Sequence, residues 1–289
     1  MFSFLFILFF LVVIINISNN LVLWWSVFLI LTLLFLIIIK KDFSFKRIVG
    51  YFLIQEVCGL LFLIITYDFF QLFLVFIKTG VSPFHFWIFS VLNDCVGFNL
   101  LWFLTFQKIP YLLTIIYLFV LVFIFVLFLG VLFCFIQIFI IKNFKNIIII
   151  NSTESFSWVL LSLVFTFFEF FQLFSYYVLI FFILLPYINF SFLGFRWELV
   201  LFILNIPLSL NFFVKFLSLS FISFLNFYFL LVLFLIFLSV VGFSYFIIKN
   251  SVSFYKIFGN NINFLFVFFS LSFLFFMCYF SNYKITLPW

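Results

Sequence analysis

Three lysines, Lys78, Lys108 and Lys215, stand inside otherwise apolar stretches, and each has a proline close by. Lys78 precedes Gly80 and Pro83, Lys108 precedes Pro110, and Lys215 follows Pro207. Two carboxylates, Glu56 and Glu154, and the single histidine, His85, lie in similar surroundings. A proline inside a helix removes a backbone donor and frees the carbonyl one turn back. An amine taken out of water loses part of its preference for the charged form, and a nearby carboxylate restores it. Lysines under both influences can take up and release a proton as a partner moves or water enters, and imidazole titrates near neutrality. The chemistry these residues fit is proton transfer. Structural readings stand beside it for three of them. Lys215 is near a segment end and could snorkel. Glu154 could simply hydrogen-bond near the end of its segment. His85, beside Phe84, Phe86 and Trp87, could be a packed core residue.

The elements that must hold these groups follow from composition. Of 289 residues 70% are hydrophobic and 7% charged, with a mean hydropathy of +1.54. A soluble domain is roughly half apolar and about a quarter charged, and its surface-to-volume ratio leaves too much surface in water to hide this excess. Disorder needs the opposite composition. The fold class expected is an all-α polytopic membrane protein forming one transmembrane domain over 1–289. A helix needs about 20 residues to cross the hydrocarbon core. Segmenting at polar and breaker clusters gives eleven spans: 2–17, 21–39, 48–67, 69–92, 98–118, 119–141, 147–166, 170–188, 199–218, 221–248 and 262–280. If they alternate, Lys40, Lys41, Lys46, Arg47, Lys142, Lys145, Arg196, Lys249 and Lys256 fall on one side, and only Lys284 on the other. That asymmetry puts the N-terminus on the positive-inside face and the C-terminus opposite.

The charges left inside the spans then need an explanation. Each ionised side chain facing lipid at mid-depth costs about 2.5–3.5 kcal/mol. Lys78, Lys108, Lys215, Glu56 and Glu154 together would cost on the order of 12–18 kcal/mol, as much as the stability of a whole domain. They must face the bundle interior, snorkel or line wet cavities. Broken helices survive in a bilayer only where they are buried or line a cavity, and broken helices carrying charge in two halves of a chain mark ion pathways.

Other readings are excluded or set aside. Cys58, Cys95, Cys134 and Cys278 form no CxxC pair and read as small apolar residues. Connections are too short for a soluble domain, and no basic groove or stacking pattern suits nucleic acid. The Asn151 glycosylation triplet falls inside a span and is discarded. The first basic residue is Lys40, so no secretory or mitochondrial import signal is expected. The chain has 63 Phe, no Ala and only two Arg, Arg47 and Arg196. This bias points to T-rich codons, as in small organellar genomes.

Residues 78–87, Lys-Thr-Gly-Val-Ser-Pro-Phe-His-Phe-Trp, closely resemble the K-x-G-x-[AS]-P-F-H-F-W signature of the NADH dehydrogenase subunit 2 family, antiporter-like membrane-arm subunits of respiratory complex I. Residues 103–108, Phe-Leu-Thr-Phe-Gln-Lys, look like its L-T-W-Q-K. Residues 205–215 resemble its G-L-P-P-L-T-G-F-L-P-K, with Pro207 and Lys215 at matching spacing and both glycines replaced. The resemblance covers roughly residues 20 to 250, and the short loops and Phe-rich bias look nematode-type.

The resemblance implies two inverted five-helix repeats with broken helices at corresponding positions. It also implies a mitochondrial inner-membrane location, with the N-terminus in the matrix and the C-terminus in the intermembrane space. Lys78 and Lys215 match the lysines of the two broken helices, and Lys108 matches the bridging lysine between them. The partners implied are the other complex I membrane-arm subunits, accessory subunits and phospholipids, with ubiquinone reduced elsewhere in the complex. No flavin, iron–sulfur cluster, metal or NADH site is expected in this chain. Two positions depart from the family. The glutamate usual on the second span would fall near Phe28 or Leu29, and 21–39 contains no acid; Glu56, one helix later, is the expected replacement. Ser155 stands where many relatives carry histidine, and Glu154 beside it is the expected substitute. Rival readings are a stand-alone cation/proton antiporter, a structural spacer that no longer pumps and, more distantly, a seven-span receptor.

Overall fold

The computed structural model describes residues 2–40, 44–93, 95, 97–141, 143–164, 167–190, 215, 234–242 and 244–245. Spans expected over 199–218, 221–248 and 262–280 lie outside the described residues, apart from Lys215, 234–242 and 244–245, all helical. So do Pro207 and Cys278. Everything described is helix, turn or coil, and no strand occurs among the described residues. The fold is all-α, as composition demands.

Two uninterrupted apolar runs open the chain, α1 (Phe2–Ile17) and α2 (Leu21–Ile39). Asn20 separates them. Its backbone is extended and its side chain accepts from the Val22 N–H at 3.0 Å, which satisfies one of the donors a helix start leaves open. The Trp24 indole donates to the Ser18 carbonyl at 2.7 Å and ties the turn down. Helix α3 (Phe45–Ile64) starts three residues earlier than the charge-based segmentation placed it. The extended Ser44 sets its start, and Lys46 and Arg47 ride in its first turn. Long basic side chains can reach the aqueous face from there.

The stretch 69–92 is two helices, α4 (Asp68–Thr79) and α5 (Phe86–Leu92). Gly80 adopts φ 64°, the left-handed conformation in which a side chain would be strained. Its N–H bonds to Ile77, and Val81 N–H returns to Phe76, a Schellman-type closure. A Cβ on Gly80 would stand 2.0 Å from Ile88 Cδ1, so a larger residue there would also have to displace the Ile88 side chain. Pro83 follows, in a cis peptide with Ser82.

Residues 98–118 are broken as well, into α6 (Phe98–Leu104) and α7 (Lys108–Leu118). Pro110 is the cause: its ring excludes the carbonyl of Phe106, four residues back, from a continuous helix. The break therefore falls at 105–107, immediately before Lys108. Then come α8 (Phe123–Ile140), α9 (Phe144–Leu161), a 3₁₀ turn (Ser162–Val164) and α10 (Phe167–Phe190).

Helix α3 packs on α2 and α4, α4 on α7, and α9 on α8 and α10. The interior is aromatic: Phe28, Phe35, Tyr51, Phe62, Trp102, Tyr111 and Tyr177 are all buried. Large apolar side chains such as Phe6, Phe9, Ile37, Phe45, Phe125 and Ile140 point outward. Four segments, Leu21–Ile39, Phe45–Ile64, Phe98–Leu118 and Phe123–Ile140, are long and apolar enough to cross a membrane.

Candidate functional site

Lys78 sits in the last turn of α4, and its side chain is only 4% exposed. Its ammonium lies 5.0 Å from the centroid of the Phe28 ring. It also rests against Gly59 of α3, where a Cβ would come within 3.0 Å of Nζ and within 3.2 Å of Trp25 Nε1. The missing side chain is what lets the ammonium approach the helix. Gln55, one turn back, donates from Nε2 to the Lys78 carbonyl at 3.1 Å. Glu56 belongs to the same part of α3 and is an electrostatic neighbour of Lys78. Its Oε1 lies 3.2 Å from Thr32 Oγ1 of α2. Among the described residues no ion pair within 4.0 Å joins Glu56 to Lys78.

Lys108 opens α7 and is 2% exposed. Its Nζ donates to the Tyr177 hydroxyl of α10 at 3.0 Å, and that hydroxyl donates to the Leu104 carbonyl at the end of α6. The same hydroxyl thus satisfies a carbonyl beside the break and accepts from the lysine. The ammonium stands 4.3 Å from the Phe156 ring and 5.2 Å from the Tyr177 ring. It is held in an aromatic cage, where ring quadrupoles attract a cation without neutralising it.

Lys215 is buried and forms an ion pair with Glu154 of α9, also buried. Trp158 Nε1, one turn on, donates to Glu154 Oε1 at 3.3 Å. Glu154 Oε2 has no hydrogen-bond partner among the described residues. Close pairing offsets much of the cost of taking two charges out of water, and losing either partner would leave the other exposed to the full cost.

Helix α9 reaches all three neighbourhoods. It presents Glu154 to Lys215 and Phe156 to Lys108. It also presents Ser157 to Ser82 at 2.7 Å, on the segment that follows Lys78. Gly130 of α8 locks that junction, since a Cβ there would lie 2.2 Å from the Ser82 carbonyl oxygen. His85 is fully buried, with Nε2 2.6 Å from Gln137 Oε1 and its ring stacked on Phe86 at 5.2 Å. It touches none of the lysines among the described contacts.

The chain is 42% identical over 218 residues to NADH-ubiquinone oxidoreductase chain 2 of Caenorhabditis elegans, covering 74% of this chain and 77% of that one. It is 40% identical over 225 residues to the protein of the same name from Ascaris suum, covering 77% of this chain and 75% of that one. The chain belongs to the NADH-ubiquinone oxidoreductase chain 2 family. No protein-family model matches it.

Within this chain 2 member, the residues singled out from sequence separate into distinct groups. Glu154 and Lys215 come into direct contact. Glu56 and Lys78 are neighbours without an ion pair. Lys108 and His85 each have their own hydrogen-bond partners, Tyr177 and Gln137, and are electrostatic neighbours of one another. The aromatic residues around the ammonium groups, Phe28, Phe156 and Tyr177, carried no separate signal in a chain with 63 Phe. Neither did Gln55, Gln137 or the Ser82–Ser157 contact, which joins residues far apart in sequence, whereas Gln107 belongs to the 103–108 motif.

Proposed function

We propose that this chain is a membrane-arm subunit of the proton-translocating NADH:ubiquinone oxidoreductase of the mitochondrial inner membrane. In this reading it has no redox centre of its own and carries protons through Lys78, Lys108 and Lys215. Glu56 answers Lys78 and Glu154 answers Lys215. His85 is a further proton partner, held through Gln137. The N-terminus faces the matrix, and the other membrane-arm subunits and phospholipids are its partners. The observation that supports this best is the burial of all three lysines next to helix breaks or an internal carboxylate. A purely structural membrane helix bundle has little use for such costly groups.

The order of events follows from the surroundings of each amine. Lys215 is matched by a carboxylate in contact, so its proton is held until Glu154 shifts or is neutralised. Lys108 is matched only by rings and a hydroxyl, so its charge depends on what reaches it from either side. Lys78 lies between these cases, with its carboxylate near but not bonded.

A second reading, a spacer that no longer pumps, is favoured by one observation: 21–39 carries no acid near Phe28 or Leu29, where the resemblance leads one to expect a glutamate. Two experiments separate the readings. Native electrophoresis of gently solubilised inner membranes, with an in-gel NADH dehydrogenase stain and peptide identification, should find the chain only in the large NADH-oxidising band. Migration alone or in a small oligomer without that activity would favour a stand-alone antiporter. Lys108→Met in the assembled complex should then reduce proton uptake; unchanged uptake per NADH would favour the spacer.

A further inference from the structure

Glu154 and Trp158 stand four residues apart on α9, so their side chains share one face of that helix. Both are fully buried. An indole nitrogen can only donate, and Trp158 Nε1 donates to Glu154 Oε1 at 3.3 Å. The same oxygen meets the Lys215 ammonium. Glu154 Oε2 has no hydrogen-bond partner among the described residues. Two donors therefore share one oxygen, and the other oxygen is left bare.

The flanking hydroxyls do not make up the difference. Ser152 donates to the Ile149 carbonyl at 2.8 Å and Thr153 to that of Ile150 at 2.9 Å. Ser155 donates to the Ser152 carbonyl at 3.2 Å and Ser157 to that of Thr153 at 2.9 Å. Cys134 of α8 is a further ionisable neighbour of the pair, and its sulfur lies 3.7 Å from Thr153 Oγ1. A carboxylate carries lone pairs on both oxygens, and burying one of them without a donor is costly. An arrangement that served stability alone would divide the indole and the ammonium between the two oxygens. In a carboxylic acid the oxygens differ, because the carbonyl oxygen accepts and the hydroxyl oxygen carries the proton. The surroundings of Glu154 suit that form, with Oε1 as the carbonyl and Oε2 as the hydroxyl.

We propose that Trp158 is a positioning residue that holds Glu154 Oε1 on Lys215 and makes Oε2 the oxygen at which Glu154 takes up a proton. The inference rests on the proton-carrying reading above. A proton that reaches Oε2 forms the O–H bond there and leaves the carboxyl neutral. Lys215 has then lost its counter-charge, and its ammonium gives up one proton to water. The carboxyl proton passes to the free amine and restores the ion pair. One proton has entered at Oε2 and one has left from Nζ, while the Trp158 N–H stays bonded to Oε1.

The test is infrared difference spectroscopy of the whole complex, at rest and during NADH oxidation, with Trp158→Phe beside the unaltered chain. Glu154→Asp keeps a carboxylate opposite Lys215 and displaces the carboxyl C=O band of position 154, which assigns it. A hydrogen bond to a carbonyl oxygen lowers its stretching frequency. With the proton on Oε2 the carbonyl is Oε1, so Trp158→Phe should move the assigned band to higher wavenumber. It should also lower proton uptake coupled to NADH oxidation about tenfold, the rate equivalent of one lost hydrogen bond. An indole that only fills space would change the yield of complex and leave the band in place. A band that stays in place, or the lack of any band that answers to Glu154→Asp, overturns the inference. A shifted band with full uptake also overturns it, since the transfer then does not need the bond. Glu154→Gln separates this from the wider reading: if it leaves uptake unchanged at matched complex content, the proton-carrying role of the pair falls and the inference with it. If it lowers uptake while the band of Trp158→Phe stays in place, the inference alone falls. Should Trp158→Phe fail to assemble, complex made with tryptophan carrying nitrogen-15 in the indole asks the same question. A label-sensitive indole band should change together with the assigned carboxyl band and be lost in Glu154→Asp; its absence overturns the inference.

Discussion

The ammonium of Lys78 stands 5.0 Å from the centroid of the Phe28 ring, and the family resemblance leads one to expect a carboxylate near Phe28 or Leu29. A ring face attracts a desolvated ammonium by roughly 2 kcal/mol, without lone pairs to accept its protons. The carboxylate nearby is Glu56, on the next helix and within reach of Thr32. Helix α2 carries no acid, the carboxylate that neighbours Lys78 is on α3, and the Phe28 ring lies against the ammonium. The lysine is therefore steadied by a group that cannot take its proton, with a carboxylate near enough to act on its charge.

That arrangement predicts a rescue. Glu56→Gln should lower proton uptake coupled to NADH oxidation, because Lys78 then has no carboxylate among its described neighbours. Adding Phe28→Glu should restore much of it by returning the acid to α2. Vesicle proton uptake at matched complex content measures both. Full activity in Glu56→Gln alone would show that Lys78 needs no carboxylate from α3.

The Glu154–Lys215 pair predicts a different pattern, in assembly. Lys215→Met alone strands a buried carboxylate, and Glu154→Leu alone strands a buried ammonium. Each should destabilise by about 3–5 kcal/mol and reduce the assembled complex seen on native gels. Glu154→Leu with Lys215→Met removes both charges together, so the complex should assemble nearly as well as the unaltered one yet lose proton uptake. Poor assembly of the double variant would mean that the pair also organises its surroundings.

Much of this was legible in the sequence, and the rest was hidden for a physical reason. Gly80 and Pro83 mark the α4–α5 break because each acts through its own backbone, which spacing reveals. Pro110 marks the second break, but its effect lands four residues upstream, so the helix ends before Lys108 and not after it. The start of α3 differs because clustered basic residues point to a loop, whereas the extended Ser44 begins the helix and Lys46 and Arg47 sit in its first turn. The amine cages were not legible. Inner faces are normally found from apolar periodicity, and in helices apolar on every side Phe28 and Phe156 look like any other phenylalanine. Contacts such as Ser82 with Ser157 and Lys108 with Tyr177 depend on how helices meet, which no local pattern records.

Two glycines offer a matched pair for testing the junction between α8 and the segment after Lys78. Gly130→Ala would place a Cβ 2.2 Å from the Ser82 carbonyl, against backbone that cannot swing aside. Gly50→Ala meets nothing within 4 Å and lies inside α3, where alanine favours the helix by up to about 1 kcal/mol. Gly130→Ala should cost about 1–3 kcal/mol from overpacking and lower the melting temperature of the complex or its yield. Gly50→Ala should leave both unchanged or slightly raised. Equal behaviour of the two would mean that α8 does not press on Ser82 in the assembled complex.

The Tyr177 hydroxyl is placed to do two things, and one substitution separates them from the ring. It accepts from Lys108 at 3.0 Å and donates to the Leu104 carbonyl beside the α6–α7 break. Tyr177→Phe keeps the ring contacts with Phe156, Phe174 and Phe181. It leaves the Leu104 carbonyl without that donor and the Lys108 ammonium with rings alone. The carbonyl should cost about 1–3 kcal/mol, visible as a lower melting temperature of the complex. The ammonium loses the acceptor that fixed its direction, so coupled proton uptake should fall while electron transfer from NADH to an artificial acceptor in the peripheral arm stays the same. Tyr177→Leu removes the ring as well, and should lower both melting temperature and uptake further. If Tyr177→Phe lowers the melting temperature and leaves uptake intact, the hydroxyl serves the helix break alone. If it changes neither, the cage is rings only and Lys108 takes its direction from α7.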